Sequence, residues 1–192
     1  GIIDYQTLNF HIPNAIRIDF KPKQVIDSLK VLPLDFKTGS RFHYSNSNYF
    51  LLGYIIEKIS GKSYKEYMQR SIFEPLGLAN TFYDDPKAII PQRVNGYSKQ
   101  NGNFINTDYI SMALVYAAGA LVTNTQDLLR WHNALYSHKI IRKETLEKAV
   151  SRYKLPDGNV SDYGYGWFIK DYDGIKTIGH GGAIDGFRRM EG

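Results

Sequence analysis

At 192 residues, 43% hydrophobic and 22% charged, the chain has ordinary globular composition and can bury about 70% of its unfolded surface. That length suits one domain or one large lobe and argues against disorder. The net charge of +5 comes from 24 Lys and Arg against 19 Asp and Glu spread along the chain. No basic run reaches the length of a nucleic-acid arm, so a solvated basic surface is expected and no nucleic-acid partner. The absence of cysteine excludes disulfides, thiolate metal sites and cysteine nucleophiles. The apolar runs are too short for a membrane span, and Gly1-Ile2-Ile3-Asp4-Tyr5 lacks the basic start and apolar core of a signal peptide.

The first helix signal is Lys21–Leu29, where Pro22 suits an early helical position and Val25, Ile26 and Leu29 form an apolar stripe. Residues 31–40 read as a loop with a turn. A helix is expected from about Ser47 to Ser60, stopped by Gly61. Ser63 and Glu66 form a capping box for the next helix, which should run to Phe73 and stop before Pro75. The Asn101-Gly102 step predicts a small hairpin over 96–104. Thr123 or Asn124 starts an amphipathic helix carrying Leu128, Leu129, Trp131 and Leu135, and a short helix follows from near Lys143 to Val150. Tyr163–Ile169, Asp173-Gly174 and Ile175–Ile178 then read as strand, turn and strand. A helix-rich body closed by a late hairpin is α+β rather than alternating βαβ.

Chemistry concentrates in two places. Tyr44-Ser45-Asn46 puts a phenol and a carboxamide where a loop enters an apolar helix, which holds a proton-transfer group and an amide together at a fixed terminus. Ser45 or Asn46 could equally serve as the cap of that helix. His180-Gly181-Gly182 ends a predicted strand, and its glycines remove side chains that would keep a ligand from the backbone. With 15 tyrosines in the chain, about one Tyr-x-Asn arises by chance, so neither motif carries weight alone.

Set in order, the blocks resemble a known family. Phe42–Tyr49, Ser60-Gly61-Lys62-Ser63-Tyr64 and Ile72–Leu78 are followed by Ala118–Leu128, Tyr163-Gly164-Tyr165-Gly166-Trp167 and His180–Phe187. This series resembles the serine β-lactamase/penicillin-binding-protein superfamily, in the class C-like branch that includes D-alanyl-D-alanine peptidases and esterases. The resemblance implies an α+β fold: mostly the helical lobe of a β-lactamase-like domain, with a late antiparallel β-hairpin and an incomplete central sheet. It implies one partial domain over 1–192, the helical lobe at about 1–160 and strands of the central sheet at about 161–187. It also implies acyl-enzyme chemistry on β-lactam, D-amino-acid peptide or ester substrates, with no cofactor and no metal.

By the same resemblance Tyr44 shuttles protons, given a neighbouring cation to lower its ordinary pKa of about 10. Asn46 hydrogen-bonds the motif lysine or the substrate amide. His180 sits beside Tyr44 and the substrate's polar end, and Gly182 and Ala183 bind substrate, the Ala183 N–H being half of an oxyanion hole. Export to the periplasm or cell surface is a further expectation of the family.

The family's nucleophile motif, Ser-x-x-Lys, is missing from residues 1–43. Ser151-Arg152-Tyr153-Lys154 matches literally but follows Tyr44 in the chain, and Thr145-Leu146-Glu147-Lys148 is a similar decoy. Both ends read as cut, and Arg188-Arg189-Met190-Glu191-Gly192 departs from the small and apolar residues expected there. The chain alone is therefore expected to be inactive, with an exposed apolar surface or strand edge that favours oligomers. Two alternatives stand beside this reading. One is a non-catalytic peptide- or ligand-binding relative. The other is a zinc hydrolase built from His11, His43, His132, His138 and His180, whose spacings do not suit a zinc site.

Overall fold

The structure, a computed structural model, describes residues 1–7 and 14–189, so His11 lies outside the described residues. α1 (Pro22–Lys30) opens with Pro22, and the Gln24 side chain accepts the Lys21 N–H at 2.8 Å. α2 (Asn46–Ser60) ends at Gly61, whose N–H bonds to the Glu57 carbonyl. Its start is unusual. Neither Ser45 nor Asn46 caps it through its own side chain. Instead the Asp4 carboxylate, 42 residues earlier, accepts the Asn46 N–H at 3.0 Å. A carboxylate there also favours the positive end of the helix dipole.

One residue on, Ser47 is fully buried and joins the same two segments. Its hydroxyl donates to the Ile3 carbonyl at 2.7 Å and accepts the Tyr5 N–H at 2.7 Å. The Tyr5 ring then packs edge-on against Phe50, with centroids 5.4 Å apart. Around that pair lies the main core: Tyr5, Val25, Phe50, Tyr64, Leu114 and Tyr116.

The segment after Gly61 differs from the expected single helix. Ser63 caps α3 (Tyr64–Met68) by accepting the Glu66 N–H at 3.2 Å, but the helix widens into a π turn over Gln69–Phe73 and continues as α4 (Glu74–Leu76). Pro75 thus lies inside helical structure rather than beyond it. It sits in the first turn of α4, where the N–H that proline lacks is not required.

The remaining elements are short. β1 (Phe82–Tyr83) pairs with β4 (Leu121–Val122), and β2 (Tyr97–Gln100) pairs with β3 (Asn103–Asn106), all antiparallel. Asn101 and Gly102 both take positive φ between β2 and β3, the Asn-Gly hairpin turn expected from sequence. α5 (Met112–Val115) contributes to the core. α6 (Thr125–Tyr136) is capped by Asn124, which accepts the Asp127 N–H at 2.9 Å. Buried Asp127 ties α6 to the segment before β1 by accepting the Asn80 N–H and the Thr81 hydroxyl. Its pKa is lowered: burial alone would raise it, and those two bonds with Arg130 outweigh burial.

α7 (Lys143–Ala149) precedes β5 (Tyr153–Lys154) and β6 (Val160–Ser161), which pair with each other. β7 (Phe168–Tyr172) and β8 (Ile175–Gly179) form the late hairpin. The strand expected from Tyr163 begins five residues later, because Gly164 N–H bonds to the Trp167 carbonyl and Gly166 takes φ +84°, folding 164–167 into a turn. β9 (Gly182–Ile184) and β10 (Phe187–Arg189) make a last hairpin. Gly186 at its tip has φ +79° and lies so close to Gly96 and Tyr97 that a Cβ would approach their backbone at 2.7 Å.

The strands thus form five separate two-stranded ladders among the described residues. This is the expected α+β arrangement without a continuous central sheet, although short strands also interrupt the stretch read as helical. Apolar side chains are also exposed on α2. Leu52, Ile55 and Ile59 form an i, i+3, i+7 stripe, 53%, 40% and 83% exposed.

Two substitutions test the clasp between the N-terminal segment and α2. Ser47→Ala strips partners from the Tyr5 N–H and the Ile3 carbonyl at a buried site, so urea unfolding should show a loss of about 1–3 kcal/mol. Asp4→Ala should cost about 1.5–3 kcal/mol, the range for hydrogen bonds to a charged group. The double variant should lose less than the sum of the two, since each change frees the same segment.

Candidate active site

Tyr44, Asn46 and His180 come together, although 134 positions separate Asn46 from His180. Tyr44 lies at the entrance to α2, and its hydroxyl donates to Asn46 Oδ1 at 3.2 Å. The other end of the Asn46 amide is held too, since Nδ2 donates to Asp4 Oδ2 at 3.1 Å. One Nδ2 hydrogen and one Oδ1 lone pair remain for a further partner. The Tyr44 ring is 5.7 Å from the His180 imidazole and 6.4 Å from the stacked Tyr49 ring. All three of these side chains are partly buried.

His180 follows β8 and precedes β9, and both its ring nitrogens are engaged. Nδ1 lies 2.5 Å from the Gly181 carbonyl oxygen, which can only accept, so Nδ1 carries the proton. Nε2 lies 3.0 Å from the Tyr163 hydroxyl. The Tyr49 and Tyr163 hydroxyls are 2.7 Å apart. Phe168 packs against the imidazole at 5.2 Å.

The electrostatics of this corner favour the neutral phenol. Burial pushes the Tyr44 pKa up, and neighbouring Tyr49 and Asp4 add to the rise. No cation appears among these influences. Tyr163 is pushed well up, by burial first and then by its bond to Tyr49, and Tyr49 is also raised by burial.

Gly182 and Ala183 are both exposed on β9, and a Cβ built on Gly182 meets open space within 4 Å. Beside this corner lies a cavity of about 880 Å³, between Ile184, Asp185 and Phe187 of the last hairpin and the Arg93–Gly96 loop. Arg93 there holds the buried Asp84 carboxylate at 2.9 and 3.0 Å. Tyr44, Asn46 and His180 do not line this cavity.

The decoys stay apart from the corner. Ser151 is exposed, its hydroxyl donates to the Glu147 carbonyl at 2.5 Å, and Lys154 lies on β5 rather than on a shared helical face. Thr145 is exposed on α7. The described histidines of the zinc reading form no cluster of three or more with other potential ligands. His43 pairs with Asp35 at 2.8 Å, and His132 stacks on Tyr136.

Sequence reasoning missed Asp4, Tyr49 and Tyr163. Tyr163 stood within the Tyr163–Trp167 block without being singled out. Tyr49 likewise closed the Phe42–Tyr49 block without being singled out, and Asp4 had no signal, because its partners are reached only through the fold.

Comparison with known proteins agrees with the motif order. A family model described as Beta-lactamase matches residues 4–190. Penicillin-binding protein 4* of Bacillus subtilis is 30% identical over 169 residues, covering 81% of this chain and 37% of that protein. The crystal structure of a D-stereospecific amidohydrolase from Streptomyces sp. superposes with a TM-score of 0.80 at 25% identity, covering 97% of this chain and 58% of that one. The octameric penicillin-binding protein homologue from Pyrococcus abyssi gives a TM-score of 0.71 at 30% identity, covering 85% of this chain and 38% of that one. The chain thus spans about a third to somewhat over half of these relatives. With its motifs in family order and a family match across nearly its whole length, the chain belongs to the Beta-lactamase family.

Proposed function

We propose that this chain forms one wall of a serine-hydrolase site that works through an acyl-enzyme. The observation that carries this reading is the convergence of Tyr44, Asn46 and His180, with the Tyr44 and His180 rings 5.7 Å apart. A serine of a Ser-x-x-Lys motif, contributed from outside residues 1–192, attacks the carbonyl carbon of a β-lactam, D-amino-acid peptide or ester. Its proton passes to the oxygen of Tyr44, which for this step is the phenolate, held in that form by the motif lysine. The oxyanion is held by the nucleophile's own N–H and by the Ala183 N–H. In the β9–β10 register Ile184 pairs with Phe187 at the turn, so ladder alternation turns the Ala183 N–H away from β10. The leaving group departs with the proton from Tyr44, and water repeats the sequence to free the acid.

Asn46 has one free N–H for the substrate and one free lone pair for the motif lysine. That lysine is also the cation that would counter the rise in the Tyr44 pKa caused by burial, Tyr49 and Asp4. A second reading, a ligand-binding wall without catalysis, draws support from the same observation: by itself this chain keeps Tyr44 protonated.

Labelling with a fluorescent penicillin separates the two. A longer protein carrying this chain and a Ser-x-x-Lys should become covalently labelled, and the 192-residue chain should not. Tyr44→Phe should slow labelling by about 10²–10⁴-fold, the usual contribution of a general acid–base group. Reversible binding without a covalent adduct would support the binding reading. An adduct on Ser151 of the short chain would overturn both.

We also propose that copies of this chain associate through Leu52, Ile55 and Ile59 on α2. Light scattering of the 192-residue chain should show a concentration-dependent oligomer, and Ile59→Glu should return it to monomer. A wild-type chain that is monomeric at high concentration would refute this.

A further inference from the structure

We propose that Tyr163, backed by Tyr49, is a positioning residue that fixes the tautomer and the plane of His180. Three observations converge. The Tyr163 hydroxyl lies 3.0 Å from His180 Nε2 and 2.7 Å from the Tyr49 hydroxyl. The Gly181 carbonyl, 2.5 Å from Nδ1, leaves that nitrogen only the donor role. The Tyr163 ring is itself immobilised, with Phe42 at 5.1 Å, Phe168 at 4.8 Å and Tyr44 at 6.0 Å, and the residue is 9% exposed.

The directions of the hydrogen bonds follow by elimination. A neutral imidazole has one donor and one acceptor nitrogen. With Nδ1–H committed to Gly181, Nε2 accepts the Tyr163 proton, and the Tyr163 oxygen is left to accept from Tyr49. The chain therefore runs Tyr49 to Tyr163 to His180 to Gly181, with one proton per link. Both edges of the imidazole are spoken for, and what it presents to Tyr44 is its ring, tilted 43° at 5.7 Å. His180 then acts as a wall beside Tyr44 rather than as a base competing for its proton. The turn at 164–167 is what makes this possible, because it folds the chain back so that Tyr163 makes one isolated antiparallel bridge to Phe168 while its hydroxyl reaches His180.

The significance of this for chemistry rests on the serine-hydrolase reading, but the geometry can be tested without it. Long-range ¹⁵N–¹H correlation spectra of the ¹⁵N-histidine-labelled 192-residue chain report which ring nitrogen of His180 carries the proton. Wild type should show the Nδ1–H tautomer. Tyr163→Phe removes only the hydroxyl and should shift the tautomer ratio at least about fivefold toward Nε2–H, the equivalent of one ordinary hydrogen bond. Tyr49→Phe leaves the Tyr163 donor in place and should shift the ratio less. Far-ultraviolet circular dichroism and thermal melts confirm that each variant is folded, and Tyr49→Phe supplies the graded response should Tyr163→Phe unfold. Wild type in the Nε2–H form, or a ratio unmoved in folded Tyr163→Phe, would overturn the proposal. Penicillin acylation of the longer protein tests the hydrolase reading separately, so either can fail alone.

Discussion

The clasp between Ile3–Tyr5 and the first turn of α2 is the constraint on which the rest depends. A helix start needs acceptors for its free N–H groups, and here the side-chain acceptor comes from a distant segment, the cap residue Ser45 offering only its carbonyl, to the Asn48 N–H. Asp4 serves two ends at once. It terminates the helix backbone at Asn46 and grips the Asn46 side chain. Ser47 then stitches the N-terminal segment to the helix through both a donor and an acceptor at a position with no water access. Because Tyr5 follows directly and enters the core against Phe50, folding of the core and orientation of Asn46 are the same event.

A second constraint comes from the other side of the corner. Tyr49 belongs to α2, Tyr163 to the turn before β7, and His180 to the join between β8 and β9. Their hydrogen bonds form a polar seam between the helical part and the late hairpins, beside the bonds of Tyr165 N–H to Ala149 and of Lys176 to Val150. The seam lies under a stack of rings from Phe42, Tyr44 and Phe168, so the bonds operate where water competes weakly. The two constraints meet at Tyr44. It touches Asn46 through a hydrogen bond and His180 through ring contact.

What sequence could reveal follows from how local each feature is. α1, the end of α2 at Gly61, the cap of α6 at Asn124 and the Asn101-Gly102 and Asp173-Gly174 turns are encoded within a few residues, and each forms as read. The errors share one cause, which is compensation by structure the local pattern cannot show. Pro75 stays helical because a π turn precedes it, and the Tyr163 strand is shortened by a turn stabilised through Gly164 and Trp167. The Tyr44, Asn46 and His180 set was visible through motif order. Asp4 and Tyr49 were not, because a carboxylate or phenol acquires meaning only when the fold brings a partner from 42 or 114 residues away.

The distribution of hydrogen bonds at the corner assigns unequal freedom to its members. Both nitrogens of His180 are committed, and Asn46 keeps only part of its capacity. Tyr44 has a single hydrogen bond, at 3.2 Å, and otherwise only ring contacts with Tyr49, Tyr163 and His180, which leaves its oxygen free to exchange partners. A group that must accept and release a proton in one cycle needs that freedom, whereas groups that orient it need the opposite. Burial raises the energy of the Tyr44 anion, so a cation brought beside it would act in a medium where charge is poorly screened. The fold thus prepares a phenol whose charge state is governed by what is placed next to it, beside an Asn46 amide with one N–H to spare and rings of Tyr49, Tyr163 and His180 tied to one another.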